Sequence, residues 1–289
     1  MIRHALVLAL TTLLLMAAPL VHSAAEPGAA GLILATTTSV RDSGLLDTLL
    51  PAFSKSTGIR VQVIAVGTGA ALRMGREGNA DVLLTHAPAA EQVLVDEGIV
   101  LRRTPFMENF FVIAGPAADP AKVAEAKSPE AAIAQIARKG ARWVSRDDDS
   151  GTHKREKQLF EAAGLDPDGK WKGLARTGSG MGLSLQVAGE RRAYILSDIG
   201  TFLAFKKRTG LVALSSPSAS LRNTYSVLQL NPKRFDHALS TGAAEALEQY
   251  LLSEETQQII SKFGLERFGR TLFSPLHLPP AEAAETPKP

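Results

Sequence analysis

The sequence contains no cysteine among its 289 residues. A disulfide framework and a thiolate metal site are therefore excluded, and so is a lipid anchor on a cysteine behind an export signal. The formal net charge is only +3, and basic and acidic residues alternate along the chain without a long run of either sign. Because nucleic-acid binding normally requires clustered basic residues, we expect no nucleic-acid partner.

Common enzyme signatures are also missing. The Gly-x-Gly segments at residues 67–69 and 178–180 lack the third glycine of a dinucleotide-binding fingerprint, because Leu72 and Leu183 stand in its place. The chain contains no P-loop, no His-Glu-x-x-His, no Gly-x-Ser-x-Gly and no Ser-x-x-Lys motif. The sequence therefore predicts a protein without catalytic residues and without a bound cofactor.

Residues 1–25 have the three parts of a secretory signal peptide. A charged start with Arg3 precedes an apolar stretch over residues 5–21, and the small residues Ser23-Ala24-Ala25 follow. A membrane anchor is the alternative, but Pro19 interrupts the stretch, which is shorter than the roughly 20 residues that a span needs. We predict export, into the periplasm of a bacterium with two membranes.

Short apolar runs alternate with amphipathic helical patterns along the rest of the chain. This alternation is typical of α/β proteins with parallel strands. The helix after the first strand contains Pro51, which we expect to bend or shorten it. The chain is predicted to leave a first lobe near residue 112 and to return near residue 224, which makes a hinge with two crossings. The predicted segments are a signal peptide (1–25), the first lobe (26–112 and 224–278), the second lobe (113–223) and a disordered tail (279–289).

Hydroxyl groups and glycines follow three of the predicted strands, in Thr37-Thr38-Ser39, Gly67-Thr68-Gly69 and Ser150-Gly151-Thr152. Ligands of open parallel sheets bind outside the carboxyl ends of the strands, where helices begin. A helix N-terminus offers unpaired N–H groups and about half a positive charge, and hydroxyls add further donors. This pattern predicts a site for an ionised oxyanion, and it would also suit a phosphate ester or a carboxylate.

Charged residues near these loops leave two interpretations open. Arg146 could bind two oxygens of an anion with its planar guanidinium, or it could pair with one of the carboxylates at residues 147–149. That acidic triplet does not match a calcium loop, because Gly151 occupies the place of the third acidic ligand, so we predict no metal site. His86 follows a strand end and could either face the cleft or serve a structural role.

Several segments resemble the TupA family of tungstate-binding proteins, the periplasmic components of tungstate ABC importers. The resemblance covers about residues 31–275. It rests on segments 35–39, 66–72, 81–88, 145–153 and 197–201. It implies a two-lobed periplasmic-binding-protein fold of type II with an oxyanion in the interlobe cleft. The implied ligand-binding residues are Thr38, Ser39, Thr68, Gly69, Arg146, Ser150 and Thr152.

Two positions stand apart from that pattern. Asp147 stands where a glycine is expected after the arginine in the family, and an acidic group there could weaken binding or point outward. Met181 and its neighbouring glycines could offer one more N–H group, but they are not included among the predicted ligand-binding residues.

The resemblance also implies a function and its partners. It predicts a monomer that binds tungstate or molybdate in the periplasm and delivers it to the permease and ATPase of an ABC importer. One alternative is a protein for another oxyanion, such as phosphate or sulfate. A second is a secreted hydrolase or transferase with a Ser or Thr nucleophile, for which only His86 or His153 could serve as the base. A third is the effector domain of a transcription regulator.

Overall fold

The computed structural model describes residues 31–278 as a mixed α/β protein. The predicted signal peptide at residues 1–25 and the predicted disordered tail at residues 279–289 lie outside the described residues. Within residues 31–278, no helix combines the length and the apolar character that a membrane crossing requires.

The first lobe begins with three parallel strands, each followed by helix. Strand β1 lies between β2 and β3 and pairs in parallel with both. The elements of this part are β1 (Gly31–Thr37), α1 (Thr38–Ser43), α2 (Leu45–Thr57), β2 (Arg60–Val66), α3 (Thr68–Glu77), β3 (Val82–Thr85) and α4 (Pro88–Asp96). The prediction of parallel α/β architecture is confirmed for this lobe.

The second lobe repeats the arrangement around parallel strands β5, β6 and β7, with β5 in the middle. A single 3-10 turn at Val123–Glu125 precedes its first helix. The elements are β4 (Val100–Pro116), α5 (Pro129–Arg138), β5 (Trp143–Ser145), α6 (Gly151–Ala162), β6 (Leu174–Arg176), α7 (Met181–Arg191), β7 (Tyr194–Asp198), α8 (Ile199–Thr209) and β8 (Leu211–Ala213).

The chain then returns to the first lobe and ends in helices. These elements are β9 (Arg222–Leu230), α9 (Thr241–Leu252), α10 (Glu254–Lys262), α11 (Leu265–Phe268) and β10 (Ser274–Pro275). Ser253 caps α10, because its hydroxyl accepts a hydrogen bond from the N–H of Thr256 at 3.3 Å.

Two antiparallel strands, β4 and β9, connect the lobes. Residues 100–110 of β4 pair with β9, whereas residues 111–116 pair with β7 and β8. Strand β9 also pairs with β3, so the strand order is β2-β1-β3-β9-β4-β7-β5-β6. The carboxyl ends of both sets of parallel strands therefore carry the loops that the sequence predicts to bind the ligand.

Apolar side chains pack on both faces of each sheet. In the first lobe, α1, α2, α9 and α10 cover one face, with Leu49, Phe53 and Leu247 completely buried, and α3 and α4 cover the other. The second lobe likewise has two buried clusters, one around Trp143 and one around Leu185. Burial of this kind stabilises each lobe by about 25 cal/mol per Å² of apolar surface removed from water.

One part of a local prediction is wrong. Of the two effects expected of Pro51, shortening does not occur, because helix α2 continues through the proline to Thr57. Apolar residues on both sides of the proline are buried in the core of the first lobe, among them Leu46, Leu49 and Phe53. Their burial outweighs the local cost of the missing N–H group.

Candidate anion-binding site

Within residues 31–278, five helices begin at the cleft between the lobes, and they fall into two groups. Helices α6 and α8 are capped by the side chains of Ser150 and Asp198, which accept hydrogen bonds from backbone N–H groups. Helices α1, α3 and α7 start after Thr37, Gly67 and Gly180, and no side chain within residues 31–278 caps them. Their first-turn N–H groups therefore remain available as donors.

Two buried hydroxyl groups stand at helix starts without a hydrogen-bond partner. Thr68 is only 1 % exposed and Thr152 only 2 % exposed, yet neither Oγ1 atom is bonded to any other group of the described chain. A Cβ atom at Gly151 would lie 3.1 Å from the Thr68 hydroxyl, so the starts of α3 and α6 are in contact across the cleft. Buried hydroxyls are normally satisfied, so these two indicate a missing partner.

Arg146 follows β5 and is 5 % exposed. Its Nη2 atom donates to Oδ2 of Asp148 at 2.5 Å, while its Nε atom has no partner among the described residues. Its carbonyl oxygen accepts from the N–H of Ser179 at 3.2 Å. Arg146 therefore pairs with a carboxylate of the acidic triplet and also keeps a buried donor unused, and its binding of an anion stays a prediction.

Loops of both lobes line one cavity of about 450 Å³. Thr38 and Ser39 contribute from the first lobe, and Arg146 contributes from the second. Beside it, the Asp149 carboxylate occupies the space that a Cβ atom of Gly69 would need. The lobes therefore meet closely at the predicted loops.

His86 lies at the centre of this contact and is 4 % exposed. Its Nε2 atom lies 3.0 Å from Oγ of Ser39, and its Nδ1 atom lies 2.9 Å from Oδ1 of Asn223. The ring stacks on Tyr225 with the ring centroids 4.8 Å apart. Burial lowers the pKa of His86, although the hydrogen bond to Asn223 partly opposes that effect.

This geometry agrees with comparisons to known proteins. Residues 22–255 match the PBP superfamily domain. The chain is 44 % identical over 246 residues to the tungstate-binding protein TupA of Peptoclostridium acidaminophilum, which covers 84 % of this chain and 85 % of that protein. The chain belongs to the TupA family.

Solved TupA-family structures have the same fold. The tungstate-binding protein TupA of Desulfovibrio alaskensis G20 aligns with a TM-score of 0.76 at 40 % identity, over 86 % of this chain and 100 % of that one. The structure described as the tungstate ABC transporter of Geobacter sulfurreducens aligns with a TM-score of 0.72 at 44 % identity, over 81 % and 98 %. The prediction of a two-lobed periplasmic-binding-protein fold is thereby confirmed.

In this TupA-family chain, the residues predicted from sequence fall into two groups: Thr38, Ser39 and Arg146 line the cavity, whereas Thr68, Gly69, Ser150 and Thr152 lie where the starts of α3 and α6 meet. Thr68, Arg146 and Thr152 keep unused buried donors, and Thr38 and Ser39 line the cavity. The Ser150 oxygen accepts from the N–H of His153 at 3.2 Å, so one of its lone pairs caps helix α6 and its proton remains for a ligand. Gly69 has no side chain, which lets the Asp149 carboxylate lie directly against its backbone. Their role as ligand-binding residues stays a prediction.

Sequence reasoning missed the polar network beneath the loops of this TupA-family site. Asn223 donates to Oδ1 of Asn109 at 2.8 Å and to the Tyr225 hydroxyl at 2.9 Å. Asn109 and Asn223 are paired residues of β4 and β9. The only signal in the sequence is an asparagine in each of the two strands, next to aromatic residues in β4 and two residues before Tyr225 in β9. Gly180 and Met181, which the prediction omitted, line the same cavity as Arg146.

A buried carboxylate lies behind Arg146. Glu156 accepts hydrogen bonds from Nε1 of Trp143 at 2.6 Å and from the Ser145 hydroxyl. Burial raises the pKa of Glu156 to about 7, and these hydrogen bonds and Arg146 oppose the rise. Within residues 31–278, no group of three or more His, Asp or Glu side chains is arranged to hold a metal ion.

Proposed function

We propose that this protein binds a tetrahedral oxyanion, tungstate or molybdate, in the cleft between its lobes and delivers it to an ABC importer. One observation carries the proposal: Thr68, Arg146 and Thr152 present buried donors that lack partners within the described residues, and they come from both lobes. Because leaving a buried donor unsatisfied costs about 1–3 kcal/mol, an anion that accepts from all three would stabilise the closed cleft.

The donor set suits a fully ionised anion better than a protonated one. Hydroxyls, one guanidinium and the uncapped starts of α1, α3 and α7 can all donate hydrogen bonds. Two nearby carboxylates are engaged, because Asp148 is bonded to Arg146 and Asp149 is paired with Lys154. Asp198 caps α8 through one oxygen, and its other oxygen is the one carboxylate acceptor here that has no partner among the described residues. Donors therefore outnumber free acceptors, which supports a fully ionised oxyanion such as tungstate or molybdate.

We further propose that the cleft opens and closes by bending at β4 and β9, between a first lobe of residues 26–112 with 224–278 and a second lobe of residues 113–223. The exchange of partners along β4, from β9 to β7 and β8, supports these boundaries. In this proposal the protein acts as a monomer in the periplasm, and its partners are the permease and ATPase of the importer. The names of its TupA relatives support this role.

Thermal unfolding tests the binding function directly. A ligand that binds only the folded protein raises its stability by about 2.7 kcal/mol at a concentration 100 times its Kd. We expect tungstate and molybdate to raise the melting temperature of the exported protein, and sulfate and phosphate to have little effect. If neither metal oxyanion changes the melting temperature, the proposal is wrong. Titration calorimetry with the two anions then ranks them.

A hydrolase is the second candidate, and one observation favours it. Ser39, His86 and Asn223 form a hydrogen-bonded series with distances of 3.0 Å and 2.9 Å, an arrangement that can activate a serine. Against it, the unused donors and the names of the relatives both support binding rather than turnover. A serine-reactive fluorophosphonate that labels Ser39, with turnover of an aryl ester, would favour the hydrolase. If the reagent does not label Ser39 and the ester is not hydrolysed, the hydrolase hypothesis is wrong.

A further inference from the structure

The hydrogen bonds around Asn223 determine which nitrogen of His86 carries a proton. The Asn223 amide nitrogen donates to Asn109 and to Tyr225, so the amide oxygen is the atom that faces Nδ1 of His86 at 2.9 Å. An amide oxygen can only accept a hydrogen bond. Nδ1 of His86 is therefore the protonated nitrogen of the neutral ring, and Nε2 carries a lone pair.

This tautomer controls the hydroxyl of Ser39. Because Nε2 of neutral His86 can only accept, the Ser39 hydroxyl donates its single proton to that nitrogen over 3.0 Å. The Ser39 oxygen then accepts from the Thr37 hydroxyl, also at 3.0 Å. As long as His86 is neutral, Ser39 has no proton to offer to an anion in the cavity that it lines.

We propose that His86 is a positioning residue that takes up one proton from solvent when the oxyanion binds, which releases the Ser39 hydroxyl to donate to the anion. The inference rests on the proposed function. The proton forms a bond to Nε2, and the N–H group then donates to the Ser39 oxygen. The hydroxyl rotates without breaking its O–H bond. Nδ1 keeps its hydrogen bond to Asn223, so the ring does not need to move.

Without a ligand, burial outweighs the groups that favour the charged form of His86. Burial and the charge of Arg146 oppose protonation, whereas the hydrogen bond to Asn223 and the carboxylates of Glu91 on α4 and Asp198 at the start of α8 favour it. The remaining contacts are the phenol of Tyr225 on β9, the hydroxyl of Ser39 on α1 and the backbone of Gly151 on α6. The pKa of His86 therefore lies below its ordinary value before binding, and an anion near Ser39 and Arg146 adds negative charge that raises it.

Titration calorimetry with sodium tungstate measures the proton directly. The titration is repeated between pH 6 and 8 in buffers of different ionisation enthalpy, and the slope of the observed enthalpy against the buffer enthalpy gives the protons taken up per anion. We expect uptake of up to one proton. By linkage, the affinity should then fall by up to about tenfold per pH unit as the pH rises through this range.

Two variants assign that proton to its residue. His86→Gln should abolish the uptake and flatten the pH dependence. His153→Gln is the matched control, because His153 also lies at the cleft, 3.5 Å from Asp147, but has no contact with Ser39 in the described chain; it should keep the uptake. A merely structural role of His86 would change affinity equally at every pH.

The outcomes separate the inference from the proposed function. Binding of tungstate by the native protein without proton uptake at any pH would overturn the inference, whether or not His86→Gln folds, and would leave the proposed function intact. Uptake that persists in His86→Gln or disappears in His153→Gln would also overturn it. No heat and no thermal shift with tungstate or molybdate would overturn the proposed function and the inference together.

Discussion

Gly69 and Asp149 face each other across the cleft so closely that the carboxylate of Asp149 fills the space of a Cβ atom at residue 69. One residue belongs to the first turn of α3, and the other lies two residues before α6. The absence of a side chain at residue 69 therefore lets the two lobes meet at the predicted anion site.

Gly69→Ala should weaken tungstate binding without destabilising the free protein. The new methyl group must displace the Asp149 carboxylate, which is paired with Lys154, and so hold the lobes apart. Alanine within a helix costs less than glycine by up to about 1 kcal/mol, so the apo melting temperature should not fall. We expect about a tenfold loss of affinity, equivalent to about 1.4 kcal/mol, by calorimetry.

Two further variants control that experiment. Gly242→Ala adds a methyl group where no described atom lies within 4 Å, and it should bind like the native protein. The double substitution Gly69→Ala with Asp149→Ala should regain affinity, because the overlapping carboxylate is gone. If Gly69→Ala alone binds tungstate normally, the two residues do not approach in the anion-bound form.

Thr68→Val and Thr152→Val should separate binding from stability. Each replaces a buried hydroxyl that lacks a partner within residues 31–278, so the free protein should keep or slightly raise its melting temperature. Each should lose roughly 1.5–3 kcal/mol of anion binding, the usual contribution of a hydrogen bond to a charged group.

Thr36→Val is a matched control for which we expect the opposite result. The hydroxyl of Thr36 donates to the carbonyl oxygen of Leu84 at 2.8 Å and is fully buried. Its removal should destabilise the free protein by about 1 kcal/mol while the tungstate affinity stays nearly unchanged. Denaturant unfolding and calorimetry give the two quantities separately. Equal effects in Thr36→Val and Thr68→Val would contradict the assignment of Thr68 to the site.

Arg146→Lys should bind tungstate at least about tenfold more weakly than the native protein. Arginine can donate to Asp148 through Nη2 and still offer Nε to a ligand, whereas a lysine presents a single ammonium group. Arg41→Lys is a suitable control, because Arg41 lines the same cavity but is exposed and paired with Asp42. Native affinity in Arg146→Lys would mean that the arginine serves only to bind Asp148.

The stability of the free protein should depend on pH through Glu156. Its pKa in the folded protein is raised to about 7, so the folded form holds a proton that the unfolded chain loses near its ordinary value of 4.5. Stability is therefore fully present below about pH 4.5 and declines as the pH rises toward 7, by on the order of 2–3 kcal/mol.

Glu156→Gln tests this dependence, because glutamine stays neutral at every pH. Melting temperatures of the native protein and of Glu156→Gln are compared from pH 4.5 to 8, so that other titrating groups cancel in the difference. The native protein should lose stability relative to the variant across that range. Parallel profiles for the two proteins would show that Glu156 does not hold a proton at neutral pH.

Sequence patterns predict the helices and strands whose buried faces are apolar, because that signal is local in the sequence. The sequence pattern predicts β2 over residues 60–66 and α9 over residues 241–252, as the structure has them, and β9 over residues 223–230, one residue shorter than observed. Of β4 it predicts only residues 108–114, because the polar residues in the first half look unlike a buried strand. Arg102 is bonded to Glu248, 146 residues away, and Arg103 is bonded to Glu91. Only the fold brings these acidic partners into place.

The same distinction holds at the site. The loops of threonine, serine and glycine could be predicted from the sequence, because the residues at helix starts form a local pattern. The place of His86 was not, because its partner Asn223 lies 137 residues further along the chain. Sequence patterns also could not choose between the two roles of Arg146. Which carboxylate it binds, and which donor it leaves unused, depends on the path of the loop. That loop turns at Asp147 and Asp149, both of which have positive φ angles.

The return of β9 into the first sheet has a consequence for the order of folding. Strands β5 to β8 come from one continuous stretch of chain, whereas β9 must insert between β3 and β4, and α9 must pack against α2, before the first lobe has its full core. The hydrogen bond from Tyr250 to the carbonyl oxygen of Leu49 spans 201 residues. Contacts at such separation form slowly, so the lobe that contains β1 is completed only after the last helices of the chain are made.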